Sequence, residues 1–180
     1  MLKGGNYLKV FVTDKQSSLL STKRYENTTT RPEYLDISHT SYGLGLRAEK
    51  LDYRFNPRRG FFVETTGSAG IKEIKRNANI PAVVYDKLRL KTTQYNAEVN
   101  IDYYIPSGSR AVLNLGVKAA TLGGPEVFKN ELYRIGGLKT LRGFDEESIF
   151  ASTYSINKVE YRYILEQNSY MCPVFSSNRS

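Results

Sequence analysis

Apolar and polar side chains alternate along much of the chain with a period of two, and that alternation predicts strands. It is clearest over 92–105, where Thr93, Tyr95, Ala97, Val99, Ile101, Tyr103 and Ile105 share one face. Thr92, Gln94, Asn96, Glu98, Asn100 and Asp102 share the other, with Tyr104 breaking the polar set. Successive strand side chains point to opposite faces, so this segment has one greasy side and one wet side. Ala111, Leu113, Leu115, Val117 and Ala119 repeat the pattern opposite Asn114, Gly116 and Lys118. Between the two runs, Pro106–Ser109 has turn chemistry, so they form a hairpin. An earlier hairpin sets Tyr42, Leu44, Leu46 and Ala48 against Gly43, Gly45, Arg47 and Glu49. It turns through 55–60, then sets Phe61, Val63, Thr65, Ala69 and Ile71 against Glu64, Thr66, Ser68 and Lys72. The pattern slips near Leu51 and Tyr53, which predicts a bulge or a strand end. A later strand places Val159, Tyr161, Tyr163 and Leu165 opposite Lys158, Glu160 and Arg162, and ends in a polar turn at 166–169.

The remaining connections are long: 13–38 is polar and Thr-rich, and 73–91 and 121–150 hold few alternating runs. Short turns therefore alternate with long loops, the asymmetry of an outer-membrane barrel. Strands of ten residues or so are what a tilted membrane-crossing strand needs, against five or six in a usual globular sheet. The fold class expected is all-β: a partial antiparallel up-and-down transmembrane barrel, with about six or seven strands of a larger barrel. Glu64, Asn96, Glu98, Asn100, Asp102, Lys118, Lys158, Glu160 and Arg162 would then line a wet lumen. A soluble β-barrel or sandwich binding an apolar ligand is the alternative, with the greasy faces turned inward.

Composition narrows this further. The longest apolar stretch, Ile80–Tyr85, has six residues, against the roughly 20 a membrane helix requires. A single cysteine, Cys172, excludes an internal disulfide and any multi-cysteine zinc site, and a single histidine, His39, excludes a His-pair metal site. No cofactor or metal is expected. The net charge of +8 comes from scattered basic residues, and the aromatics segregate from the charges, so nucleic acid is not an expected partner. The first twenty residues lack the apolar core of a secretory leader, and the natural leader is expected further upstream.

One motif carries more. Residues 131–144 contain Glu131, Tyr133, Gly136, Gly137, Leu141, Arg142, Gly143 and Phe144, spaced as an acidic residue and an aromatic, then Gly-Gly, then Arg-Gly-Phe. This resembles the signature of the BamA/TamA (bacterial surface antigen) family of outer-membrane assembly and translocation barrels. The turn at 51–60, with Asn56, Pro57 and Gly60, and the strand start Lys158–Tyr163 resemble the same family, so the likeness covers about 40–170. The resemblance implies a non-enzymatic barrel in the bacterial outer membrane that inserts or translocates proteins. Its partners would be membrane lipid, unfolded outer-membrane or secreted proteins, and accessory assembly proteins. It also implies that the long loop folds back into the lumen. There Arg142 would pair with a wall carboxylate, Gly143 would permit a close backbone approach and Phe144 would pack nearby.

An arginine fork in a partly desolvated lumen needs such a partner, and the lumen-facing carboxylates are Glu64, Glu98, Asp102 and Glu160. The family's usual Phe-x-Asp motif is missing from the tail after Tyr170. Residues 1–175 are expected to be part of a barrel domain and 176–180 an atypical tail that does not continue the sheet. Blander readings hold elsewhere. Asp145–Glu147 is a solvated acidic loop, His39 a polar strand-end residue, and Gly137–Thr140 fails the phosphate-loop pattern because Leu138 precedes its lysine.

Overall fold

The computed structural model describes residues 5–18, 34–77, 80–86, 88–137, 144–166, 169–171 and 174–179. Five strands follow one another as an antiparallel meander: β1 (Tyr7–Ser17), β2 (Ile37–Leu51), β3 (Gly60–Ile74), β4 (Lys91–Ser107) and β5 (Ala111–Gly123). The connection after β5 contains a small ribbon of β6 (Tyr133–Ile135) and β7 (Ile149–Ala151). It returns as β8 (Thr153–Glu166), which pairs with β5 from Ala111↔Tyr163 to Thr121↔Thr153. β9 (Ser169–Met171) and β10 (Val174–Arg179) then pair with β8. The result is one open sheet in the order β1-β2-β3-β4-β5-β8-β10. The only helix among the described residues is one turn, α1 (Ala82–Tyr85), and none is long and apolar enough to cross a membrane.

The two-faced alternation of the sequence becomes two faces of this sheet. Leu8, Val10, Tyr42, Leu44, Ile71, Tyr95, Tyr103, Val117, Val159 and Tyr161 are all exposed on one side. Lys72, Gln94, Asn114 and Glu160 are buried on the other, Lys72 beneath the 126–131 segment and Glu160 between Asn114 and Arg162 of the wall itself. Greasy residues outside and polar residues inside is the arrangement of a membrane barrel, and it overturns the soluble alternative with its greasy faces inward. On the outer side the strand register aligns two aromatic rows. Tyr42, Ala69 and Tyr95 face one another in one row, and Phe61 faces Tyr103 in the other. Tyr95 and Tyr103 are eight residues apart on β4. At about 3.4 Å per residue that is roughly 27 Å along the strand, or about 21 Å along the membrane normal for a strand tilted about 40°, comparable with the apolar band of about 25 Å between aromatic girdles.

Short turns lie at one end of the sheet and long connections at the other. The long connections are not bare. Leu35, Ile80, Tyr85 and Phe128, drawn from three of them, form a buried cluster with Ile37 and Ile74 at the ends of β2 and β3. Asn77 donates from its backbone to Tyr85 Oη at 2.9 Å and from its side chain to Asp36 at 2.8 Å. Asn130 donates to Ser17 Oγ and to the Leu35 carbonyl, at 3.0 and 3.1 Å. This apolar cluster covers the long-loop ends of β2 and β3.

Two features depart from the sequence reading. β1 was hidden because Asp14, Lys15 and Gln16 dilute the alternation of Leu8, Val10 and Val12, and backbone pairing with β2 carries the strand through them to Ser17↔Ile37. The tail does continue the sheet: the backbone of Val174–Arg179 pairs with β8 from Val174↔Glu160 to Arg179↔Ser155. Ladder bonds use backbone groups, so a polar composition after Pro173 does not forbid them. Tyr104 is on the inner wall as its register requires, with the Arg162 guanidinium 5.5 Å from its ring.

Candidate functional site

The β6–β7 ribbon carries the first half of the motif, and three local causes shape it. Gly136 and Gly137 have φ of +130° and +86°, conformations that side chains other than glycine rarely adopt. A Cβ on Gly136 would lie 2.1 Å from the Asp145 carbonyl oxygen, so the two arms approach too closely for any other residue. Across that approach the Gly137 N–H donates to the Phe144 carbonyl at 3.1 Å. Outside, Arg134 pairs with Glu147 at 3.1 Å. Phe144 itself is half exposed. Leu141, Arg142 and Gly143 lie outside the described residues.

Two polar contacts hold the ribbon to the inner wall. The first joins Lys72 of β3 to Glu131 at 2.8 Å, with 1% and 11% of the side chains exposed. Lys72 also donates to the Glu126 carbonyl, and its ammonium is 5.1 Å from the centre of the Phe128 ring. The Glu131 carboxylate in turn accepts the Phe128 N–H at 2.9 Å. A buried charge is tolerable only when so many partners replace its water. Lys72 reached the wet face in the sequence reading but was not singled out, because only the fold brings the 126–131 segment over it.

The second contact is Tyr133, whose hydroxyl donates to Glu98 of β4 at 3.3 Å. Burial, followed by the nearby Glu98 charge, pushes the Tyr133 phenol above its ordinary range. Its ring meets Tyr154 edge-on at 5.3 Å, beside a buried cluster of Ile135, Ala151 and Ile156. The ribbon is therefore seated on apolar side chains as well as pinned by polar ones. Between it and the β1–β4 wall is a groove of about 440 Å³, lined among others by Phe11, His39, Ser41, Gln94 and Tyr133. Gln94 Oε1 and His39 Nε2 are buried without a hydrogen-bond partner.

The four wall carboxylates divide. Glu160 is buried, accepts from Arg162 at 2.5 Å and from Asn114 at 3.1 Å. Asp102 pairs with Lys158 at 2.7 Å. Glu98 receives Tyr133. Glu64 has no hydrogen bond or ion pair to any described residue.

The turn motif is built as its residue types suggest. Asp52 accepts the N–H groups of Tyr53, Arg58 and Arg59 at 2.9, 2.9 and 3.1 Å. Pro57 is buried, and Asn56 occupies the bend beside it. Gly60 opens β3 with φ +123°, where a Cβ would collide with the Lys50 carbonyl. Among the described residues no group of three His, Cys, Asp or Glu is placed to hold a metal ion.

A two-faced antiparallel sheet with a greasy exterior, a polar interior and a hairpin seated on the inner wall defines a partial transmembrane β-barrel of the outer-membrane type. The chain belongs to the Omp85 superfamily, whose domain model matches residues 4–174. That superfamily comprises outer-membrane barrels of protein insertion and translocation. Comparison with curated proteins and with solved structures gave no match.

Proposed function

We propose that this chain is part of a larger outer-membrane barrel that inserts or translocates polypeptides, acting as a scaffold with no catalytic step. Its β6–β7 hairpin lies in the lumen, and the Arg142-Gly143-Phe144 tip docks on the wall. The observation that supports this best is the double anchorage of the hairpin base, Lys72 to Glu131 and Tyr133 to Glu98. A loop meant for solvent has no use for a buried ion pair beneath it. The open edges at β1 and β10 argue for further strands, since unpaired ladder groups in lipid are costly. Unfolded outer-membrane or secreted proteins are the substrates of this reading, membrane lipid its surroundings and accessory assembly proteins its helpers.

Glu64 is the carboxylate we assign to Arg142. Glu98, Asp102 and Glu160 already have cationic or hydroxyl partners. Glu64 is on the same inward face of β3 as Lys72, on the short-turn side of Thr66, which faces Glu98. Disulfide scanning tests the assignment in the full-length protein. Arg142→Cys should cross-link with Glu64→Cys in preference to cysteines at 98, 102 or 160, and cross-linking at one of those three would move the partner there. For the activity itself, a photo-crosslinker at Asn96 on the lumen wall should capture unfolded outer-membrane or secreted chains in cells. Capture of none, with the barrel folded and in the outer membrane, would sink the reading.

A further inference from the structure

We propose that the short-turn end of the sheet is a docking surface for anionic phospholipid headgroups, an inference that rests on the membrane reading above. Lys50, Arg54, Arg59 and Arg110 are exposed there, with Arg58 half-buried among them. The one acidic side chain within these two turns, Asp52, is spent on three backbone N–H groups. Glu49, next along β2, is on the inner wall paired with Arg47 at 2.6 Å. The surface of these two turns is thus basic without internal neutralisation, and the acidic residue Glu166 belongs to the separate β8–β9 turn of the same end. At the long-loop end, by contrast, Asp14, Glu73, Asp86 and Glu126 mix with Lys75, Arg89 and Lys129.

Geometry sets this basic surface at headgroup height. Arg58 donates to the Ser109 carbonyl, which holds the β2–β3 and β4–β5 turns side by side. Lys50 shares the outer face with Phe61, directly opposite it, and Tyr103, the aromatic row nearer the short turns, where a lysine stem can lie along apolar surface with its ammonium in the headgroups. Phe55 is 78% exposed at the tip of the turn, its ring 6.3 Å from Tyr53. An aromatic ring flanked by arginines just beyond the girdle suits the interface between acyl chains and phosphates. Arginine forks match phosphate oxygens in pairs.

The test reconstitutes the full-length protein in phosphatidylcholine bilayers containing spin-labelled phosphatidylglycerol or spin-labelled phosphatidylcholine. The motionally restricted fraction of each lipid is read at low salt. The wild type should prefer phosphatidylglycerol. The variant Lys50→Gln/Arg54→Gln/Arg59→Gln/Arg110→Gln, which keeps the Arg58–Ser109 link, should lose that preference. A cation near an anionic surface contributes about fivefold in lipid partitioning, so removing four should leave the variant restricting both lipids alike. Equal restriction of both lipids by the wild type, or an undiminished preference in the variant, overturns the inference. So does an equal restriction accompanied by a co-purifying acidic protein that the variant releases, which would make the surface a protein contact. A protein that stays in solution when the vesicles are floated overturns the membrane reading itself.

Discussion

Lys72 shows what one side chain decides. Removing its charge while leaving Glu131 in place strands a carboxylate away from water, a loss of about 3–5 kcal/mol for buried pairs. Lys72→Met should therefore release the 126–137 segment, raising amide exchange at Glu131 and Tyr133 in the detergent-folded protein. Adding Glu131→Leu should restore most of the protection, because neither charge then needs a partner. A double variant no better protected than the single would refute the account. Glycine chemistry makes a second contrast. Gly136→Ala should cost about 1–3 kcal/mol through its positive φ and the Asp145 carbonyl, seen as faster exchange of the Ile135 and Ile149 amides. Gly67→Ala, whose Cβ would meet nothing within 4 Å, should change stability by no more than about 0.5 kcal/mol.

At the scale of elements, the β6–β7 ribbon is too short to stand alone and owes its position to what lies beneath it. Tyr133 supplies a pH signature of that seating. Its proton is held more tightly in the seated ribbon than in the released one, since the phenol is raised by burial and by Glu98. The contribution is therefore fully present below the free phenol value of about 10 and is lost as pH climbs above it. Protection of the Ile135 amide should fall more steeply above pH 10 in the wild type than in Tyr133→Phe. Parallel decline in both would remove Tyr133 from the seating. The strands themselves were largely legible, because period-two alternation records burial on one face. Their ends were not: β2, β3 and β8 run several residues past the alternating positions, carried by ladder bonds that any residue can make.

For the whole molecule, the question is which solvent each face meets. Val99 is on the outer face of β4, four residues from each of Tyr95 and Tyr103, and so at the middle of the apolar band. Val99→Arg should destabilise the lipid-embedded protein by about 2–4 kcal/mol, whereas Asn100→Arg on the lumen face should be close to neutral. Urea unfolding in lipid vesicles measures both, and equal effects would contradict the assignment of faces. The asymmetry of ends belongs to this scale too. Loops at one end bury Leu35, Ile37, Ile74, Ile80, Tyr85 and Phe128 in an apolar cluster, while turns at the other present cations.

Alternation, strand length, turn chemistry and the Gly-Gly motif are local or periodic properties, so the chain by itself determined a two-faced β-sheet, its order of turns and loops, and its family resemblance. Which face met lipid was open, since an apolar stripe is buried in a barrel interior as well as in a membrane. The tertiary structure decided it by laying the 126–131 segment and the β6–β7 ribbon on the polar face and leaving the apolar face bare. The same packing brought Glu131 over Lys72, 59 positions earlier in the chain, and left Glu64 free among the described wall carboxylates. Contacts between side chains so far apart depend on how strands register and where a long loop returns, and no local pattern encodes that.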